Sequence, residues 1–163
     1  MTLYTGPQAK INEIFVSWQG EGIWLGVKQV FIRFADCNLN CMYCDTDWKY
    51  KKDLSIPELL SYIETHGPIH SVALTGGEPL LQSLFLKEFL PYLQQRGYRV
   101  YLETNGTLYQ ALKPIARFIS LIAMDIKLPS VAQIKPQWDK HFKFLEVIIK
   151  RRLASFIKIV ISK

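Results

Sequence analysis

The stretch SVALTGGEPLLQSLFLKEFLPYLQQRGYRVYLETNG, residues 71 to 106, decides the fold class. Ser71 to Leu74 is a short apolar run that ends in Thr75-Gly76-Gly77-Glu78-Pro79. Leu86, Phe89, Leu90 and Leu93 then recur at helical spacing over Ser83 to Arg96, and Gly97 stops the helix. Tyr98 to Leu102 is a second apolar run, ending in Glu103-Thr104-Asn105-Gly106. Two nearly continuous apolar strands joined by one helix read as a crossover unit, and crossover units build parallel sheets with covered faces. Pro91 inside the helical pattern predicts a kink or a split.

Outward from this unit the alternation continues. Ile11 to Val16 and Gln29 to Phe34 read as β segments, separated by Trp18-Gln19-Gly20-Glu21-Gly22, a tight turn or a loop able to wrap a polar heterocycle. Ser55-Ile56-Pro57-Glu58 is a capping-box start for a helix carrying Ile56, Leu59, Leu60 and Ile63, and Gly67-Pro68 ends it. Leu108 to Arg117 predicts a helix interrupted at Pro114, and Phe118 to Met124 a strand ending in Asp125-Ile126-Lys127. Trp138 to Leu153 reads as a longer helix and Phe156 to Ile161 as a final strand. The whole is one α/β domain over residues 1–163.

Right-handed crossovers bring the C-terminal ends of parallel strands to one edge. Polar clusters at Cys37 to Thr46, Thr75 to Glu78, Glu103 to Asn105 and Asp125 to Lys127 therefore gather at one mouth, where ligands of parallel α/β folds bind. The first cluster, CNLNCMYCDT, holds all three cysteines of the 163-residue chain. Three is one short of a structural zinc site and odd for disulfides, whereas an iron–sulfur cube held at three corners keeps one iron for a non-protein ligand. A three-thiolate zinc knuckle completed by Asp45 or a distant His is the alternative. Arg33, inside an apolar strand beside this loop, needs either a protein carboxylate or an anionic substrate.

Composition bounds the rest. Apolar residues make up 49% and the net charge is +6. Residues 1–134 balance twelve Lys/Arg against twelve Asp/Glu, while 135–163 carry eight against Asp139 and Glu146. That basic end is read as a solvated helix face, since no nucleic-acid module accompanies it. No apolar run spans a membrane and MTLYTGPQAK has no signal-peptide core, so a cytoplasmic protein with reduced thiols is expected.

The spacing Cys37-x3-Cys41-x2-Cys44, with Tyr43 before the last cysteine, resembles the signature of the radical S-adenosylmethionine (SAM) enzymes. Within them, WQGEG (18–22), FIRFADCNLNCMYCDT (31–46), TGGEP (75–79) and ETNG (103–106) resemble the 7-carboxy-7-deazaguanine synthase family. The resemblance implies a partial parallel β/α barrel of five to six strands. It implies conversion of 6-carboxy-5,6,7,8-tetrahydropterin to 7-carboxy-7-deazaguanine, with loss of ammonia, on the route to queuosine. Cys37, Cys41 and Cys44 would hold a 4Fe-4S cluster and Thr46 a Mg²⁺ ion. SAM would meet Tyr43, Gly77, Glu78 on its amino group, Glu103, Asn105, Asp125, Ile126 and Lys127. Substrate would meet Trp18, Gln19, Gly20, Glu21, Thr75 and Arg33, the last on its carboxylate. Radical chemistry belongs to the cofactor, so no side chain is assigned as catalytic.

The resemblance also implies an electron donor such as flavodoxin or ferredoxin, a homodimer, and no direct contact with nucleic acid or membrane. Asp125-Ile126-Lys127 stands where the family usually has Ser-Pro-Lys. Relatives continue past the strand at Phe156 to Ile161 through a further strand and tail, so a truncated form, one completed by another subunit, or one without turnover is expected. Activases that install glycyl radicals on partner proteins share the cysteine spacing and an Asp-Ile-Lys type segment and form the alternative enzyme class. A metal-binding interaction module is the non-enzymatic one.

Overall fold

The computed structural model describes residues 5–46 and 50–161. Its strands are β1 (Gln8–Trp18), β2 (Lys28–Phe34), β3 (Lys52–Ser55), β4 (Ser71–Gly76), β5 (Arg99–Thr104), β6 (Leu121–Ile126) and β7 (Ser155–Ile159). The helices are α1 (Ile56–Thr65), α2 (Ser83–Gln95), α3 (Tyr109–Leu112), α4 (Pro129–Ala132) and α5 (Trp138–Arg151). Among the described residues one sheet runs in the order β3-β1-β2-β4-β5-β6-β7. The five strands from β2 onward are parallel, whereas β1 pairs antiparallel with both β2 and β3. Seven strands thus replace the five to six expected, and the sheet is mixed. The added strand, β3, is a short edge carrying one apolar residue, Leu54.

Period-two alternation explains the two cores. Val30, Ile32, Phe34, Val72, Leu74, Val100, Leu102, Ile122 and Met124 face the helices and pack on α1, α2 and α5. Phe31, Ala73, Tyr101, Leu121 and Ala123 share the other face with Phe15, Trp24 and Phe156. On that face the β1–β2 loop folds back: Trp24 lies 5.7 Å from the Tyr101 ring, Glu21 pairs with Lys158, and the Phe156 ring closes on Gly22. Gly22 has φ +72, so a side chain there meets both strain and that ring.

The capping box at Ser55 and Glu58 forms as expected. The helix containing Pro91 does not split. Burying Phe85, Leu86, Phe89, Leu90 and Leu93 at about 2 kcal/mol each outweighs the roughly 3 kcal/mol that an interior proline costs. The helix expected over Leu108–Arg117 shrinks to α3 and a 3₁₀ turn at Ala116–Phe118, because Pro114 supplies no N–H between them. No helix among the described residues is long and apolar enough to cross a membrane.

Candidate active site

The last inward residue of each parallel strand points into one mouth. These are Arg33, Thr75, Glu103, Asp125 and Lys158, two residues beyond Phe31, Ala73, Tyr101, Ala123 and Phe156, with Arg33 opposite Thr75 and Asp125 opposite Lys158 in register. Glu103 is held at both oxygens, accepting from Gln19 Nε2 at 3.3 Å and from Thr75 Oγ1 at 2.8 Å. Gln19 is itself set by Gln29 at 3.1 Å, and buried Gln29 by Ser71 at 2.7 Å. Arg33 donates from Nη1 to Thr46 Oγ1 at 3.2 Å, lies 3.4 Å from a Glu13 oxygen through Nε, and stacks 5.6 Å from the Phe15 ring centroid.

The cysteine loop lies over this floor. Cys37, Cys41 and Cys44 line a cavity of about 130 Å³ together with Gly77, Asp125 and Lys127. It joins a wider one of about 760 Å³ that reaches Trp18, Gln19, Gly20, Glu21 and Arg33; Tyr43, Thr46, Thr75 and Glu103 line both. The loop is pinned by backbone: Gly77 N–H donates to Phe34 O at 3.1 Å and Glu78 N–H to Asp36 O at 2.9 Å. A Cβ on Gly77 would overlap the Asp36 carbonyl, so only glycine fits against the segment entering Cys37.

Burial pushes the Cys37 and Cys41 thiols up, and neighbouring thiolates push further, while Lys127 draws Cys41 back. All three cysteines are free. Among the described residues no three His, Cys, Asp or Glu side chains converge on a point one metal ion could occupy. The three thiols line one cavity, and thiolate is the ligand softness that iron–sulfur clusters select. Asp125 pairs with Lys127 at 2.7 Å through Oδ2, and its Oδ1 is buried without a partner in the same wall, an acceptor that suits the donors of an amino-acid or ribose group.

Two of the residues expected to meet SAM, Glu78 and Ile126, do not line the cavity. Glu78 is fully buried, accepting from Leu80 N–H at 3.0 Å, Asn105 N–H at 2.8 Å and Thr104 Oγ1, so it braces the loops and does not face the cavity. Asn105 lines the thiol cavity, with its side chain bonded to Asn38 and Thr107. Ile126 packs into the helix-side core because it falls one residue out of phase with Asp125. Tyr43 lines the cavity, with Lys127 Nζ 5.3 Å from its ring centroid. Trp18 borders the wider cavity but is 67% exposed. The structure adds Lys158, Gln29, Asn38 and Thr107. Lys158 carried the signal that marked Arg33, a charge inside an apolar run; the other three show their roles only through contacts across the sheet.

Burial raises the Glu78 pKa to about 7, against donors that pull it down. The folded chain then keeps a proton that an unfolded chain loses near 4.5. The associated stability is fully present below that value and is lost as pH rises through 7, a change of up to about 3 kcal/mol. Urea unfolding of the apoprotein is expected to show this slope in the parent and not in Glu78→Gln. Equal slopes would contradict it.

The three thiols lie at the C-terminal mouth of the parallel sheet, and the family model described as Radical SAM superfamily matches residues 31–158, so the chain carries a radical SAM domain. Such a domain implies a 4Fe-4S cluster and SAM. More narrowly, the chain belongs to the 7-carboxy-7-deazaguanine synthase family. It is 38% identical to the 7-carboxy-7-deazaguanine synthase of Geobacter sulfurreducens, across 96% of this chain and 71% of that one. The corresponding enzymes of Methanothermobacter thermautotrophicus and Clostridium acetobutylicum are 34% and 42% identical, over 94% and 91% of this chain and 69% and 67% of theirs. The crystal structure of QueE from Escherichia coli shares the fold, with TM-score 0.59 at 22% identity, covering 93% of this chain and 94% of that one.

Proposed function

We propose that this chain converts 6-carboxy-5,6,7,8-tetrahydropterin to 7-carboxy-7-deazaguanine with loss of ammonia, as a step toward queuosine. The observation that carries the reading is the continuity of the thiol-lined cavity with the polar floor of Arg33, Thr75 and Glu103. Cys37, Cys41 and Cys44 hold the cluster, and Gly77, Asp125 and Lys127 border the SAM site. When bound, these groups supply one-electron hydrogen-abstraction chemistry. The chain's own side chains bind and orient. Arg33 takes the substrate carboxylate with a planar fork, displacing its weak bond to Thr46. Glu103, which the family resemblance assigns to SAM, lines both cavities and, fixed by Gln19 and Thr75, is placed here to accept from the pterin N–H donors. Trp24, Tyr101 and Phe156 close the face beneath and exclude water from it.

Thr46 and neighbouring Asp45, 3.3 Å from its hydroxyl, offer hard oxygen donors for Mg²⁺. Thr46→Ala is expected to abolish stimulation by Mg²⁺ while SAM still binds; stimulation equal to the parent's would contradict the assignment. The activase reading leaves Gln19 without a purpose, whereas here its amide orients Glu103. Anaerobic reconstitution with SAM, a reductant such as flavodoxin, Mg²⁺ and the carboxytetrahydropterin tests the proposal. Deazaguanine product with no net loss of SAM supports it, and cleaved SAM without that product overturns it.

A further inference from the structure

Asn38 lies between Cys37 and Cys41, in a segment that belongs to no strand or helix. Its Nδ2 donates to Thr107 Oγ1 at 2.8 Å, Thr107 Oγ1 donates to Asn105 Oδ1 at 2.7 Å, and Asn105 Nδ2 donates to Asn38 Oδ1 at 2.9 Å. The three bonds close a ring in which every member gives once and receives once. Its direction is forced. The Thr107 backbone N–H also donates to Asn105 Oδ1 at 3.0 Å, so that oxygen cannot exchange places with Nδ2. Nδ2 must then meet the Asn38 oxygen, and the Asn38 nitrogen must meet the Thr107 hydroxyl.

The ring is anchored in rigid surroundings. Asn105 N–H is held by buried Glu78 from the β4 loop, and Asn105 O accepts from His141 Nε2 of α5 at 3.1 Å. Asn105, Thr107 and His141 are each at most 6% exposed. Asn38 is the exposed member that reaches out of the cysteine loop into this frame. The Cys41–Cys44 half of the loop has backbone bonds, Cys44 N–H to Cys41 O at 3.1 Å and Met42 N–H to Ala132 O of α4 at 2.9 Å, whereas between Cys37 and Cys41 the ring is joined by the weak Leu39 N–H to Cys37 Sγ contact at 3.5 Å. Ordering a free loop costs about 1–2 kcal/mol per residue, so a frame that orders it beforehand lowers what ligation must overcome.

We infer that Asn38, Thr107 and Asn105 are positioning residues that hold the Cys37–Cys41 segment in its cluster-binding shape. This rests on the reading of the three cysteines as cluster ligands. Thr107→Val keeps the shape and removes the hydroxyl, Thr107→Ser keeps the hydroxyl, and Asn38→Ala alters an exposed side chain outside every strand and helix. The measurement is the rate at which a chelator strips iron from anaerobically reconstituted protein, alongside thermal unfolding of the apoproteins and the low-temperature EPR spectrum. Thr107→Val and Asn38→Ala are expected to release iron about tenfold faster than the parent with a changed spectrum, and Thr107→Ser within about twofold. A merely structural role would lower apoprotein melting and leave release rate and spectrum at the parent's values. Unchanged release in Asn38→Ala and Thr107→Val overturns the inference alone; a parent that takes up no iron overturns the cysteine reading and the inference together.

Discussion

Cys41→Ala is expected to lose its iron almost completely and with it all turnover. Cys41 is the middle ligand of a set of three, and within the described residues no other cysteine lies in the chain to replace it. Asp45, Glu103 and Asp125 are carboxylates in the same cavity, but a hard oxygen is a poor substitute for thiolate on iron–sulfur clusters. Iron and sulfide assays on anaerobically reconstituted protein check this, with a fall of about tenfold or more expected. The apoprotein should fold as the parent does, because Cys41 is outside both hydrophobic cores. A variant that keeps its full complement of iron would show that the loop is not the ligand set.

Arg33→Leu carries the second largest effect. Among the described residues its guanidinium is the one cation on the floor of the wider cavity whose protein partners are weak: a 3.2 Å bond to Thr46 and a 3.4 Å approach to half-exposed Glu13, with Nε buried and unbonded. Lys158 is paired with Glu21 and Lys127 with Asp125, so neither is equally free for an anion. Hydrogen bonds to charged groups contribute about 1.5–3 kcal/mol, which corresponds to a loss in kcat/KM of roughly 10- to 150-fold. The loss should fall mainly on KM for the carboxylated pterin, and SAM affinity should stay at the parent's value. Arg33→Lys should recover only part of it, because a single ammonium cannot reproduce the fork. Parent-like kcat/KM in Arg33→Leu would remove Arg33 from the substrate site.

The parallel half of the sheet was legible because each strand is a nearly continuous apolar run closed by a polar cluster. β3 was not, since Lys52-Asp53-Leu54-Ser55 is a polar edge strand whose existence depends on pairing with β1. The mouth was legible for the same reason as the strands: Arg33, Thr75, Glu103 and Asp125 follow from alternation once strand ends are known. The Glu78 motif marks a loop at the mouth but says nothing of Thr104 and Asn105, 26 and 27 residues on, which donate to its buried carboxylate. Ile126 falls one residue out of phase with Asp125 and packs against the helix-side core. Asn38 was invisible because its partners are 67 and 69 residues away and its own neighbours are all cysteine-loop residues.

The account stands on three thiols holding a cluster that keeps one coordination position open for SAM. The most direct measurement is the low-temperature EPR spectrum of the reduced, reconstituted protein before and after addition of SAM. The expected result is a cluster signal whose g values shift on addition of SAM. A spectrum indifferent to SAM, or reconstituted protein that retains zinc in place of iron and sulfide, would contradict it.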